Sequence, residues 1–470
     1  MRVRTLVGVL LAFTLVAAAC GDDDDAAITT APPETVVVTS IVEVEVPGET
    51  VTSVVTETVE VEVEAENPFE GTTVTVFGPE SSDVEAGALQ SALDLFAAQT
   101  GINIEYTGAR DFSDQINAQA VGGNPPDIAV FPQPGKIADF AREDLLAPLP
   151  SDVEAVMNDN FSSAWTAFGN VDGTQYAIPT KADLKSLVWY RPADFAAGGY
   201  AIPESWADLK ALGDTMIADG NTPWCIGIES GPATGWTFTD WVEDLMLRFH
   251  GPDVYDQWVA HEIPFNDARV TEVWNEILGV WNTPGGVFAA NGSIAATPFG
   301  ANGEPLVNGD CMMHRQASFF SAFFPEGTPT GPDGVDVFYF PAVGDDRPVL
   351  GAGTLVSAFR DAPEVWEVMK YFASSAYADA RQNLQHLAQG GGTSLSGYLS
   401  PNLNKDLGEY QPLEQSFLEF LDTASVVRFD GSDLMPATVG AGSFWVEATS
   451  AVNGDKSVDD AMQTIEDSWP

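Results

Sequence analysis

The 470-residue chain has few basic residues, histidines and cysteines. It holds 19 Lys and Arg against 69 Asp and Glu, a formal charge of −50, with 4 His and 3 Cys. Such an acidic surface repels phosphate groups, which argues against nucleic-acid partners. The histidines are scattered and no HExxH or Cys-x-x-Cys motif occurs, so neither a metal site nor a cofactor is predicted. G-x-S-x-G and P-loop motifs are also missing, and nothing points to an enzyme.

The first twenty residues are typical of an export signal. Arg2 and Arg4 precede an apolar run from Thr5 to Ala19, which is too short to span a bilayer comfortably. Residues 1–19 are therefore predicted to be a secretory signal peptide. The run Val16-Ala-Ala-Ala-Cys20 resembles a bacterial lipobox, which implies lipidation of Cys20; the alternative is an ordinary secreted protein with a cysteine inside its signal.

Residues 20–68 are predicted to be a disordered tether behind that lipidated cysteine. Residues 22–66 contain 13 acids and no Lys or Arg, and the rest is mostly Val and Thr. Segments such as 59–63 alternate with period two, which taken alone would predict a strand. The low complexity and self-repelling charge favour disorder. We find no later transmembrane segment.

The following region reads as alternating strands and helices. Residues 73–77, 102–106 and 127–131 are predicted strands, and residues 84–99 carry apolar side chains at helical spacing. Strands separated by a helix favour parallel pairing.

Further helix starts are readable downstream. Ser205 with Asp208, and Asp361 with Glu364, resemble capping boxes. The second would begin a helix with an apolar stripe of Val365, Met369, Phe372 and Ala376. Residues 237–250 read as a helix that Gly251-Pro252 ends.

Cys225 and Cys311 are the only thiols after the tether. In an exported chain a lone pair is usually a disulfide, and this one would close a long loop. The alternative of a metal or catalytic thiol lacks partner residues.

Several aromatic residues lie beside short polar groups. A neutral sugar offers flat C–H faces and a rim of hydroxyls, so its site needs aromatic platforms with carboxylates and amides. Trp189, Trp224 and Trp366 sit in apolar patterns that favour the core. Trp236 and Trp445, flanked by small residues, fit either a core or a site. The stretches of interest hold the residues Lys181, Asp183, Trp236, Asp240, Phe319, Phe320, Asp433 and Trp445.

From about residue 70 onward the chain resembles the extracellular solute-binding proteins (family 1 type) of carbohydrate ABC importers, nearest the α-glucoside-binding group. The resemblance rests on the sequence segments Pro125-Pro-Asp-Ile128, Leu187-Val-Trp-Tyr190, Pro203-Glu-Ser-Trp206, Trp224-Cys-Ile-Gly227 and Phe429-Asp-Gly-Ser-Asp-Leu-Met-Pro436.

The resemblance implies an α/β periplasmic-binding-protein type II fold, in which two α/β lobes enclose a ligand cleft at a hinge. The segments that match the family place the first lobe at 69–180 and 341–391, and the second at 182–340 and 392–470. They also place Asp183 or Lys181, Phe131, Trp445, and Phe319 or Phe320 in the cleft.

The function so implied is that of a substrate-binding lipoprotein. It would capture a neutral sugar, an α-glucoside or other oligosaccharide, by cleft closure and deliver it to the permease subunits. We expect a monomer held by its lipid on the outer face of the bacterial membrane. The alternatives are a secreted glycoside hydrolase with paired carboxylates, which would turn sugar over, and a surface adhesin, which would not bind small sugars.

Overall fold

A computed structural model describes residues 39–46, 49–56, 68–344, 346–424 and 426–470. The predicted signal peptide and Cys20 lie outside these residues. Contacts divide the chain into two compact units, residues 1–70 and 71–470. Within the described residues, no helix combines the length and the apolar character needed to cross a bilayer.

In the first unit, the described residues include two paired strands within the segment predicted to be a disordered tether. Strand β1 (Thr39–Val46) pairs antiparallel with β2 (Glu49–Thr56), in a register that runs from Thr39 opposite Thr56 to Val46 opposite Glu49. Val and Thr favour extended backbone, which accounts for the two strands. The prediction that residues 20–68 as a whole form a disordered tether stays a prediction.

The second unit consists of alternating strands and helices. Its strands are β3 (Thr73–Gly78), β4 (Asn103–Gly108), β5 (Ile128–Phe131), β6 (Asn170–Val171), β7 (Thr174–Gln175), β8 (Ala177–Leu184), β9 (Leu187–Tyr190), β10 (Trp224–Cys225), β11 (Val287–Phe288), β12 (Met313–Arg315), β13 (Asp336–Tyr339), β14 (Val349–Ala358) and β15 (Val427–Phe429).

Its α-helices are α1 (Asp83–Thr100), α2 (Phe112–Val121), α3 (Pro134–Arg142), α4 (Ser151–Asn160), α5 (Ser163–Thr166), α6 (Pro192–Gly198), α7 (Trp206–Ala218), α8 (Trp236–Val259), α9 (Ala268–Trp281), α10 (Gly303–Asn308), α11 (Pro363–Ala373), α12 (Ser375–Ala388), α13 (Pro412–Thr423), α14 (Gly431–Leu434), α15 (Trp445–Asn453) and α16 (Val458–Glu466). Short 3₁₀ turns cover Ala167–Gly169, Phe299–Asn302, Ser318–Phe323 and Leu407–Glu409, and a π-helix covers Val439–Phe444.

The first sheet has the order β15-β14-β5-β3-β4, with β8 also paired to β14. The predicted strands β3, β4 and β5 run parallel, as expected. Helix α1 confirms the helix predicted from apolar spacing, and it buries Ala88, Leu89, Ala92 and Leu93. The parallel pairing places the carboxyl ends of three strands at one edge, where open α/β sheets bind their ligands.

The second sheet has the order β11-β10-β12-β9-β13. Strand β8 belongs to the first sheet and β9 to the second, and only Lys185 and Ser186 separate them. This crossing confirms the predicted two-lobed α/β architecture. Strand β15, expected in the second lobe, pairs with β14 of the first sheet. The other lobe boundaries remain predictions.

The two predicted capping boxes have different outcomes. Ser205 caps α7, and its hydroxyl accepts a hydrogen bond from the Asp208 amide. Asp361 does not cap α11; its carboxylate accepts from the indole of Trp366 at 2.8 Å instead. Val365, Met369 and Phe372 are buried as predicted, whereas Ala376 is exposed in the next helix.

Helix α8 breaks where the sequence indicates. Gly251 has a φ of 78°, and the helix resumes after this kink. The structure also joins Cys225 to Cys311, whose Cα atoms lie 5.5 Å apart. This bond connects the end of β10 to the segment before β12, two adjacent parallel strands of the second sheet.

Candidate functional site

A cavity of about 210 Å³ lies where the two sheets meet. It is enclosed by residues from both sides of the β8–β9 crossing. Its lining comprises Pro79, Glu80, Ser81, Ser82, Glu85, Arg110, Phe112, Ser113, Pro132, Gln133, Lys181, Asp183, Lys185, Ser230, Ala233, Trp236, Asp240, Phe299, Phe319, Phe323, Ala352, Gly353, Thr354, Asp430, Ser432, Asp433 and Trp445.

One wall comes from the segments that follow the parallel strands of the first sheet. Glu80 follows β3, Arg110 follows β4, and Gln133 follows β5. The geometry of parallel pairing brings these loops together, although they are far apart in the sequence.

Strand β8 and the residue that follows it supply three charged side chains to the cavity. Lys181 and Asp183 lie two positions apart on the strand, and Lys185, just past its end, continues the same spacing. Side chains two positions apart in a strand point to the same face, so all three reach one side. That face is the floor of the cleft.

Lys181 is held by two carboxylates. Its ammonium nitrogen lies 3.0 Å from Oε1 of Glu80 and 3.7 Å from Oε1 of Glu85. The other oxygen of Glu80 accepts a hydrogen bond from Arg381 at 2.9 Å. Burial would raise the pKa of Glu80, but the charges of Lys181 and Arg381 outweigh it and lower that pKa to about 2. Glu80 is therefore an anion with both oxygens engaged.

Lys185 lies at the centre of a second buried network. Its ammonium group is 2.7 Å from Oδ1 of Asp240 and also contacts Asp430. Burial raises the pKa of Asp240 to about 6, with the charge of Asp430 adding to the effect and that of Lys185 opposing it. Burial would raise the pKa of Asp430 as well, but Lys185 lowers it to about 2. The two carboxylates beside one ammonium group thus differ in proton affinity.

The carboxylates of this network do not require a metal ion. Oxygens of Asp240, Glu243 and Asp430 lie within 4.8 Å of one another. The ammonium group of Lys185 already bonds to two of the three, and Glu243 accepts hydrogen bonds from the amides of Gly431 and Ser432 at 3.0 and 3.2 Å. Lys185 supplies the positive charge that a cation would bring.

Four aromatic rings form the opposite wall, referred to below as the aromatic wall: Trp236, Phe299, Phe319 and Phe323. The rings of Trp236 and Phe299 are 5.0 Å apart, and Trp236 and Phe319 are 6.1 Å apart. Gly235 precedes this wall with a φ of 115°, and a Cβ there would lie 2.2 Å from the carbonyl oxygen of Trp445. Only glycine allows the start of α8 to approach α15 so closely.

Three lining residues carry buried polar atoms with no hydrogen-bond partner among the described residues: Oδ1 of Asp183, Oδ2 of Asp240 and Nε1 of Trp445. Oδ2 of Asp240 has an ion-pair partner, Nη1 of Arg315 at 3.5 Å. The two atoms that remain for a ligand are Oδ1 of Asp183 and Nε1 of Trp445. Burial raises the pKa of Asp183, while Lys181 and Lys185 oppose that rise. Oδ1 of Asp183 accepts a hydrogen bond and Nε1 of Trp445 donates one. A molecule in the cleft therefore satisfies both atoms only if it carries a donor and an acceptor.

The structure brings together most of the residues predicted for the site. Lining the cavity are Lys181, Asp183, Trp236, Asp240, Phe319, Asp433 and Trp445. Phe131 was wrongly placed: it is fully buried and packs against Phe112 and Phe140 in the first-sheet core. Phe320 was also wrongly placed, since it packs in the core against His314 and Phe324.

Several lining residues were not predicted from the sequence, among them Glu80, Lys185, Phe299 and Asp430. Lys185 was predictable, because it continues the two-residue spacing of Lys181 and Asp183. Glu80 was not predictable, since its partner Arg381 lies 301 positions away.

Known proteins resemble this chain in sequence over most of its length. A sequence model of the family "Bacterial extracellular solute-binding protein" matches residues 81–379. The osmoprotective compounds-binding protein GgtB of Synechocystis sp. is 39% identical over 388 residues, covering 81% of this chain and 89% of that protein. The alpha-glucosides-binding periplasmic protein AglE of Rhizobium meliloti is 38% identical over 417 residues, covering 85% of this chain and 87% of that protein.

Solved structures share the fold at low sequence identity. A chitin oligosaccharide binding protein superposes with a TM-score of 0.72 at 16% identity, covering 84% of this chain and 97% of that one. Maltose-bound MalE3 of T. maritima gives a TM-score of 0.63 at 17% identity, covering 84% and 98%. These likenesses establish the type II periplasmic-binding fold, with its two lobes and its cleft. The chain belongs to the bacterial extracellular solute-binding proteins, and it is an exported protein that binds a solute for an ABC importer and is not an enzyme.

Proposed function

We propose that the cleft captures a neutral sugar, an α-glucoside or a short oligosaccharide, and delivers it to the permease subunits of the importer. The observation that carries this proposal is the pairing of an aromatic wall with a floor of charged hydrogen-bonding groups. Sugar C–H faces pack on aromatic rings, while hydroxyls bond to carboxylates and ammonium groups. The names of GgtB and AglE, an osmoprotectant binder and an α-glucoside binder, are consistent with such a ligand.

The partnerless atoms in the cleft support a hydroxylated ligand. Each hydroxyl both donates and accepts, so one polyhydroxy molecule can donate to Asp183 and accept from Trp445. Asp183 lies on the crossing strand and Trp445 begins α15. A ligand bonded to both groups would stabilise the closed arrangement of the lobes, because only that arrangement makes both sets of contacts.

The charge of the cleft argues against an anionic ligand. Its lining has the six acids Glu80, Glu85, Asp183, Asp240, Asp430 and Asp433, against the three bases Arg110, Lys181 and Lys185. A sugar phosphate would enter a field of its own sign, and the formal charge of −50 adds to the repulsion. A neutral solute does not experience this electrostatic repulsion.

The rest of the proposed arrangement concerns how the protein is exported and held. Cleavage before Cys20 and lipidation of that residue would anchor a monomer to the outer face of the membrane, with residues 20–68 as the connection. Stable anchoring usually takes two membrane-binding signals, which lipidation of both the thiol and the new amino terminus of Cys20 would supply. The Cys225–Cys311 bond fits an oxidising compartment outside the cytoplasm.

The proposal is tested by titrating the purified full chain with neutral glucosides, polyols and matched sugar phosphates in a calorimeter. We expect at least one neutral glucoside to bind and to be recovered uncleaved, and its phosphate to bind far more weakly. Asp183→Asn should weaken the binding about 10- to 100-fold, because hydrogen bonds to charged groups contribute about 1.5–3 kcal/mol.

Asp172→Asn is the matched control. Its side chain is 71% exposed and lies outside the cavity lining, so its affinity should equal that of the wild type. Absence of binding by every neutral sugar and polyol, or equal affinity of the Asp183 variant, would refute the proposal.

A further inference from the structure

Two lysine ammonium groups cover faces of the aromatic wall. Nζ of Lys181 lies 5.5 Å from the ring centroid of Phe319, and Nζ of Lys185 lies 5.6 Å from that of Trp236. Both distances are within the range of a cation–π contact. Aromatic rings in an acidic cleft otherwise attract cations, and quaternary ammonium groups above all. The protein therefore fills these cation positions with its own side chains.

Both lysines are fixed in place. Each is only 5% exposed. The ammonium group of Lys181 donates a hydrogen bond to Glu80 at 3.0 Å, and that of Lys185 donates one to Asp240 at 2.7 Å. Moving Lys181 would leave the buried carboxylate of Glu85 without an ion-pair partner, and moving Lys185 would do the same to Asp430, which is costly. The ring faces that they cover are therefore closed to a competing cation.

We propose that Lys181 and Lys185 are specificity-determining residues that exclude cationic solutes, quaternary ammonium compounds above all, from the cleft. This inference rests on the proposed function, since it explains how an acidic aromatic cleft is reserved for neutral polyhydroxy ligands. Exclusion matters here because a formal charge of −50 concentrates cations near the protein.

The expected discrimination follows from Coulomb repulsion. A cation that reached the aromatic wall would come close to a lysine ammonium group, because both ammonium groups already lie within cation–π distance of its rings. At an effective dielectric constant of about 20, two like charges about 6 Å apart repel enough to weaken binding about 100-fold. A neutral sugar on the same wall experiences no such repulsion.

Lys181 is the better position for the test. Its removal leaves Glu80 paired with Arg381 at 2.9 Å, whereas removal of Lys185 leaves Asp430 without its lysine partner. Lys181→Met keeps the length of the side chain and removes the charge. Lys181→Arg is the matched control, because it keeps the charge.

The experiment titrates the full-length wild type and both variants with tetramethylammonium chloride and with a neutral glucoside that binds the wild type. We expect tetramethylammonium to bind Lys181→Met at least 10-fold more tightly than it binds the wild type or Lys181→Arg. The affinity for the glucoside should change less than the affinity for tetramethylammonium. If Lys181→Met fails to fold by circular dichroism, the double variant Lys181→Met/Glu85→Gln takes its place, since Glu85 is the carboxylate left without its lysine partner.

Two results would overturn the inference. In the first, tetramethylammonium binds the wild type as tightly as it binds folded Lys181→Met. In the second, folded Lys181→Met still does not bind tetramethylammonium. Failure of the proposed function is recognised separately. In that case no neutral sugar binds the wild type, while the comparison of tetramethylammonium affinities still reports whether Lys181 excludes cations.

Discussion

Replacing Cys225 and Cys311 together with alanine tests the disulfide that links strand β10 to the segment before strand β12 in the second sheet. The two cysteines are 86 positions apart, fully buried, and attached to the adjacent parallel strands β10 and β12. Neither lines the cavity. We therefore expect the double variant to lose stability while keeping its affinity for the ligand.

The size of the loss follows from the length of the closed loop. In the chain-entropy treatment, a loop of 86 residues restricts the unfolded state by about 4–5 kcal/mol at 25 °C. A unit of about 400 residues unfolds with an entropy of about 0.8 kcal/mol/K near its midpoint. Dividing the first quantity by the second gives a decrease in Tm of about 5–6 °C.

Differential scanning calorimetry of the full chain measures this decrease. The control is Cys20→Ala, which lies outside the loop and should leave the Tm unchanged. Thiol titration of the denatured, unreduced wild type should find Cys225 and Cys311 unreactive. A Tm within about 1 °C of the wild type in the double variant, or reactive thiols at both positions, would refute the reasoning.

Three further expectations concern the cleft. Trp445→Phe keeps an apolar ring and removes the indole N–H, so it should weaken glucoside binding about 10-fold in a calorimeter with little change in the Tm of the free protein; a large decrease in that Tm would assign Trp445 to the core. Phe131→Leu should lower the free energy of unfolding by about 1–2 kcal/mol and leave the affinity for the glucoside unchanged, whereas Phe319→Leu should mainly lower that affinity. Urea melts measure the stability and titrations measure the affinity. A loss of affinity in Phe131→Leu with a loss of stability in Phe319→Leu would contradict the assignment of the two residues. Because burial raises the pKa of Asp240 to about 6, the folded protein holds an extra proton between about pH 4 and pH 6, and this group's contribution to stability falls as the pH rises through that window. Asp240→Asn should remove that fall from urea melts collected across the window, and an unchanged pH profile would count against the role of Asp240.

Local patterns in the sequence were sufficient for much of the fold. Helix α1 and strands β3, β4 and β5 carry their periodicity in consecutive residues, and the kink at Gly251 follows from a glycine–proline pair. The cap at Asp361 was predicted wrongly because an acid followed three residues later by another acid fits many contexts. Here Trp366 provides a competing partner for Asp361.

The candidate site was predictable only in part. Adjacent phenylalanines such as Phe319 and Phe320 point in different directions, so a prediction that accepts both is wrong for one of them. Phe131 ends a strand whose four residues are all buried, and the cavity begins with the next two residues. The contact between Lys185 and Asp430 joins residues 245 positions apart, a distance at which a single sequence carries no pairing information.

The path of β8 has a consequence for how affinity in this protein is interpreted. The strand that places Lys181 and Asp183 in the cleft also leads directly into the crossing between the two sheets. A substitution on this strand therefore changes the contact with the solute and the ease of lobe movement together. Equilibrium affinity alone will combine the two effects. Association and dissociation rates, measured separately, will distinguish weaker contacts with the solute from slower closure of the lobes.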